Sequence, residues 1–350
     1  VARTPKEMYL GLSQGEWPDY VMGMPKPEES YSAMVGPFPL FMPAGMSFGG
    51  PPSGPPPKGF TDLWGVPHEA DDITGIAIPK PGAFILEDIV HWDRYIKNPP
   101  MPEDFDWEAF TKDQLKDIDR EQKLVSVMFS MQAPFQQIIS FTGFTEGLAA
   151  MYEEPEAFEE LLDYLLSYYL PIVEKCVEYY KPDMLSIPDD TASRYAPFFS
   201  VEAYRKFFKP YYAKLAKAMT DRGGIVTFHN CGKCEAFVED MIDFGVKYWN
   251  PAQTDNDLVS IIQKHWQADG FVCCGGWDFV PELGKEVTEE IVRQSVRDSI
   301  DKYAPHGGYV FTGGYLGTQD NRETAQQINS WVGDEVRTYG STFYSKKSII

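Results

Sequence analysis

Residues Gly224–Cys234 read GIVTFHNCGKC, a β-branched and aromatic run that ends in a dense group of His229, Cys231, Gly232 and Cys234. A short apolar run that stops at such a boundary is the pattern of a strand buried on both faces. His229 and Cys231 are two apart, so on an extended chain both project to one face and Asn230 to the other. Imidazole and thiolate are both zinc donors, and a catalytic zinc needs only three protein ligands. Cys234 completes a C-x-x-C spacing, which leaves a redox dithiol open; a helix starting near Gly232 would carry Cys234 off the strand face. A satisfied core histidine beside two buried thiols is the alternative without chemistry.

Outward from this stretch, short β-rich runs alternate with longer amphipathic ones from about Lys123 onward. The runs are KLVSVMFSM from Lys123, DMLSIPDD from Asp183, GIVTFHNC from Gly224, VKYWNPA from Val246, GFVCCGG from Gly270 and GGYVFTGG from Gly307. Between them lie helical patterns such as EEPEAFEELLDYLLSYYLPIVEKCVEYY and SVEAYRKFFKPYYAKLAKAM, the second opened by the cap residue Ser200. Strand, helix, strand in this order predicts parallel strands with crossover helices, here an α/β fold of the (β/α)8 TIM type. Further strands in the first hundred residues would complete eight. The organisation expected is one barrel domain over 1–350, with an N-terminal extension and lid over 1–100 and the main βα repeats over 101–340. The lid expectation rests on the irregular Pro/Gly-rich run Gly36–Gly65, which holds Phe38, Phe41, Met42, Met46, Phe48, Phe60 and Trp64.

The chain has 350 residues, 43% hydrophobic and 15% aromatic, enough for a sizeable core, and no apolar run reaches the length of a membrane helix. A formal charge of -21 argues against nucleic acid or an anionic membrane as partner. No secretory pattern opens the sequence, so a cytoplasmic location is expected. Four of the five cysteines fall in two tight groups beside glycine, which suits metal or thiol chemistry better than a disulfide frame. Cys176, inside a helical run, reads as a buried small hydrophobe.

In barrels and doubly wound sheets alike, chemistry collects at the carboxyl ends of the strands. Those ends carry Asp189 and Asp190, His229 and Cys231, Asn250 and Gln253, Cys273 and Cys274, and Gly313, Gly314 and Tyr315. Asp189 and Asp190 are the candidate catalytic carboxylates, with helix capping as the other role open to them. Of the adjacent Cys273 and Cys274 only one can face the barrel axis and either could supply a third metal ligand beside His229 and Cys231; Cys274, nearer the strand end, is the favoured one, and two packed core cysteines are the rival role. Trp249, Trp277 and Tyr315 are expected to wall a substrate; turn chemistry in GGWDFVP, which holds Trp277 and Asp278, and plain core packing are the rival roles.

These motifs stand in the order of one family. TPKEMYLGLSQGEWPD at the start, FTDLWGV, GFTEGLAAMYEEPEAFEELL, DMLSIPDDTA, FFSVEAYRKFFKPYYAKL, TFHNCGKCEAFVEDMIDFGV and the closing GGYVFTGGYLGTQDNRETAQQI resemble blocks of the uroporphyrinogen decarboxylase superfamily, within it the corrinoid-linked methyltransferases. The resemblance implies an eight-stranded barrel and zinc held by His229 and Cys231 of the His-x-Cys-Gly motif. The family's third ligand is a cysteine of the closing block, where this chain has Gly314 or Tyr315. The implied activity is transfer of a methyl group between a small substrate and the cobalt of a corrinoid on a separate carrier protein. With its aromatic load, which includes Tyr195, Phe198 and Tyr309, the chain suits an O-methylated aromatic donor and hence a role in O-demethylation; core packing is the rival role of those residues, and methanol, methylamines or a thiol acceptor stay open. A tetrapyrrole decarboxylase is the second reading, weakened because Arg3 is the one arginine before Arg94. A non-catalytic corrinoid-binding barrel is the third.

Overall fold

The main sheet has at its centre strands whose residues are largely buried on both sides, whereas its edge strand Ser32–Val35 is partly exposed. The computed structural model describes residues 2–37, 59–71, 73, 77–100, 105–130, 133–280 and 287–346. Within them lie β1 (Ser32–Val35), β2 (Gly59–Thr61), β3 (Pro67–Ala70), β4 (Ala77–Pro79), β5 (Leu124–Met128), β6 (Met184–Pro188), β7 (Ile225–His229), β8 (Val246–Ala252), β9 (Val272–Gly276) and β10 (Tyr309–Thr312). Seven pair in parallel in the order β1-β5-β6-β7-β8-β9-β10, and β2-β3-β4 form a separate antiparallel sheet. All six runs read from Lys123 onward are strands of the large sheet.

Crossover helices follow those strands: Pro155–Tyr180 before β6, Lys209–Thr220 before β7, Val238–Asp243 before β8, Leu258–Asp269 before β9 and Glu289–Tyr303 before β10. Ser200 caps its helix as expected, its hydroxyl accepting from Ala203 N. The fold is the TIM type, with its eighth strand reduced to a single bridge. Gly23 pairs in parallel with Phe311 of β10, and Phe311 N donates to Met22 O at 2.8 Å. Gly23 has φ +140, and a Cβ there would lie 2.1 Å from Phe311 O, so only glycine permits this approach. At the opposite edge of the sheet lies β1, contributed like Gly23 by the first hundred residues.

Alternation along the strands sorts the two faces. Ser126 and Met128, Met184 and Ser186, Thr227 and His229, Asn250, and Val310 and Thr312 face one common cavity. Their neighbours Val125, Val127, Leu185, Ile187, Val226, Phe228 and Trp249 are fully buried in the hydrophobic core. Many TIM barrels fill their centre with Val, Ile and Leu. Here Ser126, Ser186 and Thr227 occupy inward positions instead, and a cavity of ≈ 1320 Å³ lies inside.

The small sheet packs over this cavity. Trp64, in the turn between β2 and β3, donates from Nε1 to Tyr169 Oη at 3.1 Å, and its ring packs on Phe141 and Tyr168. Phe60, Leu63 and Trp64 all line the cavity, so this part of the expected lid covers it. Phe38, Phe41, Met42, Met46 and Phe48 lie outside the described residues. No helix among the described residues is long and apolar enough to cross a membrane.

Candidate metal centre and cavity

Strand β7 ends on His229, and its loop is held so that Cys231 returns to the same side. Asn230 is fully buried between them: its Oδ1 accepts from Thr191 N at 2.9 Å, its O from Trp249 Nε1 at 2.9 Å. Gly232 follows with φ +89, its N donating to Gln253 Oε1 at 2.5 Å, its O accepting from Asn256 Nδ2 at 3.0 Å. The result is His229 Nε2 at 3.5 Å from Cys231 Sγ. The period-two reading of His-x-Cys therefore describes the geometry.

A third candidate donor, Asp190, lies just past the end of β6, the neighbour of β7. Asp190 Oδ1 accepts from Cys231 N at 2.8 Å and lies 3.9 Å from His229 Nε2. The ligand atoms of Asp190, His229 and Cys231 all fall within 4.8 Å of one another. Donors around a tetrahedral zinc are separated by about 3.3–3.8 Å, so nitrogen, sulfur and oxygen here fit such an ion with small side-chain shifts. Behind them, His229 Nδ1 is 3.1 Å from Asn250 Oδ1, and Asn250 Nδ2 donates to Thr227 Oγ1 at 2.9 Å. The amide orientation makes Nδ1 the protonated nitrogen and leaves Nε2 free to coordinate. Burial, with Asp190 close by, pushes the Cys231 thiol well up from its ordinary range. A cation at this position would favour the thiolate instead.

Cys274 is not a member of this group. It lies on β9, with β8 between it and β7, and its Sγ is 3.9 Å from Tyr9 Oη. Two strand spacings, about 10 Å, separate β9 from β7, whereas β6 lies directly beside it. The third position expected of Cys274 is thus taken geometrically by Asp190. Cys273 is fully buried in the core. Cys234 is also buried, its thiol directed to Cys231 O at 3.0 Å rather than to the donor group.

Asp189 and Asp190 point apart, as consecutive residues of an extended chain must. Asp189 Oδ2 accepts from Tyr212 Oη at 2.6 Å and Phe135 N at 3.0 Å, and Oδ1 from Gln136 N at 3.0 Å. It thereby caps the helix Pro134–Thr142, whose own N-cap Ala133 has no side chain able to do so. Burial pushes its carboxyl up to about 7, against the pull of those donors.

The residues expected to wall a substrate lie elsewhere. Trp249 is fully buried; Trp277 donates from Nε1 to Ser295 Oγ at 3.0 Å and stacks on Phe279; Tyr315 is tied by its backbone to Asn329. None of the three is among the cavity's lining residues. The aromatic lining comes mainly from the N-terminal hundred residues, as Tyr9, Tyr31, Phe60 and Trp64, with Tyr169 from the helix Pro155–Tyr180. Among the described lining residues no Lys or Arg occurs.

A TIM-type barrel with its polar side chains gathered at the carboxyl ends of the strands has the layout of barrel enzymes. The family model for uroporphyrinogen decarboxylase (URO-D) matches residues 86–318, and the chain belongs to that family. A methyltransferase from Methanosarcina mazei has a similar structure, with a TM-score of 0.55 and 12% identity, covering 96% of this chain and 99% of its own; at that identity the likeness concerns the fold. No curated protein sequence matches the chain.

Proposed function

We propose that the protein is a metal-assisted methyltransferase that moves a methyl group between a small substrate, favoured as an O-methylated aromatic compound, and the cobalt of a corrinoid on a partner protein. The observation that carries this reading is the convergence of Asp190, His229 and Cys231 within 4.8 Å at strand ends that open on an aromatic cavity. The structural likeness to a methyltransferase supports it further. His229, Cys231 and Asp190 are the residues that would hold zinc, and Asn250 fixes the imidazole for that task. Zinc so held supplies Lewis acidity toward the heteroatom that bears the methyl group. The aromatic side chains of the cavity pack a flat substrate and exclude water from it.

The family name suggests decarboxylation of a tetrapyrrole polycarboxylate. The described cavity lining, with Asp62, Asp189 and Asp190 and no Lys or Arg, offers no charge match for such a substrate. A non-catalytic barrel would need no metal. Metal analysis of the purified protein, followed by assay of methoxylated aromatics against cob(I)alamin with uroporphyrinogen as control, tests the proposal. Bound zinc and formation of methylcobalamin are expected. Release of carbon dioxide from the porphyrinogen without methyl transfer would overturn it.

A further inference from the structure

Apart from the metal-type donors, the cap sheet brings a second pair of polar side chains into the same cavity. Asp62 and His68 both line it, with side chains only 15% and 8% exposed. Asp62 Oδ1 accepts from Trp64 N and Val66 N, each at 2.9 Å, which locks the carboxylate. His68 Nδ1 lies 3.0 Å from Val66 O and so carries a hydrogen, while the ring stacks on Phe60 at 4.7 Å with an interplanar angle of 3°. What remains is Asp62 Oδ2 and His68 Nε2, facing each other at 3.9 Å. That is too long for a hydrogen bond between them, and His68 Nε2 makes none among the described residues. One oxygen placed about 2.8 Å from each atom would bridge the gap.

We infer that Asp62 and His68 form a hydroxyl-binding subsite, and that the substrate is a methoxylated phenol with a free hydroxyl rather than a methoxylated benzoate. This rests on the methyltransferase reading for the methoxyl group but not for the subsite itself. A hydroxyl donates to Asp62 Oδ2 and, when His68 carries a second proton on Nε2, accepts from it, so that one group meets both atoms. A carboxylate can only accept, and it would enter a lining that already holds Asp62, Asp189 and Asp190 without Lys or Arg among the described residues. Tyr9, Tyr31 and Trp64 line the cavity with apolar surface for the aromatic body.

Calorimetric titration of the purified protein with guaiacol, anisole and ortho-methoxybenzoate tests this without any methyl transfer. Guaiacol is expected to bind about ten-fold tighter than anisole, the worth of one to two well-made hydrogen bonds, and the benzoate more weakly than either. Asp62→Asn keeps the acceptor for Trp64 N and Val66 N, and His68→Asn keeps a donor toward Val66 O. Each is expected to bring guaiacol to within about two-fold of anisole. Equal binding of guaiacol and anisole by the unaltered protein, preference for the benzoate, binding of none of the three, or undiminished selectivity in both folded variants overturns the subsite. If neither variant folds, the three-probe comparison on the unaltered protein decides alone. Hydroxyl selectivity without any methyl transfer would leave the subsite standing and remove the proposed activity, whereas methyl transfer from guaiacol and anisole at equal affinity would do the reverse.

Discussion

Asn250 holds His229 from behind, its Oδ1 3.1 Å from the imidazole Nδ1, while the same amide is itself fixed by Thr227. Because an amide that donates to Thr227 Oγ1 must present its oxygen to the ring, the imidazole is set with Nε2 toward Cys231 and Asp190. Support of this kind is worth about 10–100-fold in metal affinity. Asn250→Ala is expected to weaken zinc by that factor in competition with a chromophoric chelator. Unchanged affinity would deny Asn250 the role.

Direct ligands should matter more than their support. His229→Ala and Cys231→Ser are each expected to lose zinc by more than the ~100-fold upper end of an outer-shell change, and with it methyl transfer. Both side chains are only partly buried, so thermal melting of the metal-free proteins should stay close to that of the metal-free parent. Asp190→Asn keeps an acceptor for Cys231 N and removes one charge, which predicts an intermediate loss. A stoichiometric zinc retained by His229→Ala would show that the metal, if any, binds elsewhere.

Gly232 sets the return of Cys231 toward His229. A Cβ there would meet Ala192 O at 2.4 Å and Ser193 O at 2.6 Å, on a backbone already at φ +89. Gly232→Ala is therefore expected to cost roughly 2–4 kcal/mol of stability, read by denaturant unfolding, from left-handed strain and overpacking together. A loss under about 0.5 kcal/mol, the scale of an ordinary surface change, would mean the loop rearranges freely.

Asp189 predicts a pH dependence of definite sign. Its carboxyl is raised to about 7 in the folded chain, above the ordinary range it keeps when unfolded. Between about pH 4 and 7 the folded state thus holds a proton that the unfolded state has released, and stability falls as pH rises through that window, by at most about 1.4 kcal/mol per pH unit. Asp189→Asn cannot titrate. The melting temperature of the parent relative to this variant should decline from pH 5 to pH 7 and level off above. A parallel pair of profiles would show that Asp189 is ionised throughout.

The barrel was legible because parallel strands covered on both faces leave near-continuous apolar runs, as in LVSVM and IVTFH. β1, with only four residues, and the Gly23 bridge leave no such trace; they are defined by partners far along the chain. In the candidate site, alternation placed His229 and Cys231 on one side, where they meet at 3.5 Å. The same alternation, carried one strand further, turns Trp249 outward once Asn250 faces His229, a signal outweighed by the attraction of an aromatic near a strand end. Which of Asp189 and Asp190 meets the donor group depends on Tyr212 and the helix Pro134–Thr142, and no local pattern encodes that. Cys274 failed as a neighbour for a reason of strand order: β6, not β9, lies beside β7. Asp62 stands in the block FTDLWGV and His68 two residues beyond it, yet their meeting in the cavity depends on the pairing of β2 with β3.

The bridge from Gly23 to Phe311 also has a consequence for synthesis. Trp266 donates to Leu12 O across 254 positions, and Arg337 to Met24 O across 313. A nascent chain leaving the ribosome carries its first cavity wall long before the strand that wall must pair with exists. Until β10 emerges, the edge at Gly23 has no strand to join, and contacts of such sequence separation form late and slowly. The amino-terminal hundred residues, which supply most of the cavity's aromatic lining, thus wait for partners made late in synthesis.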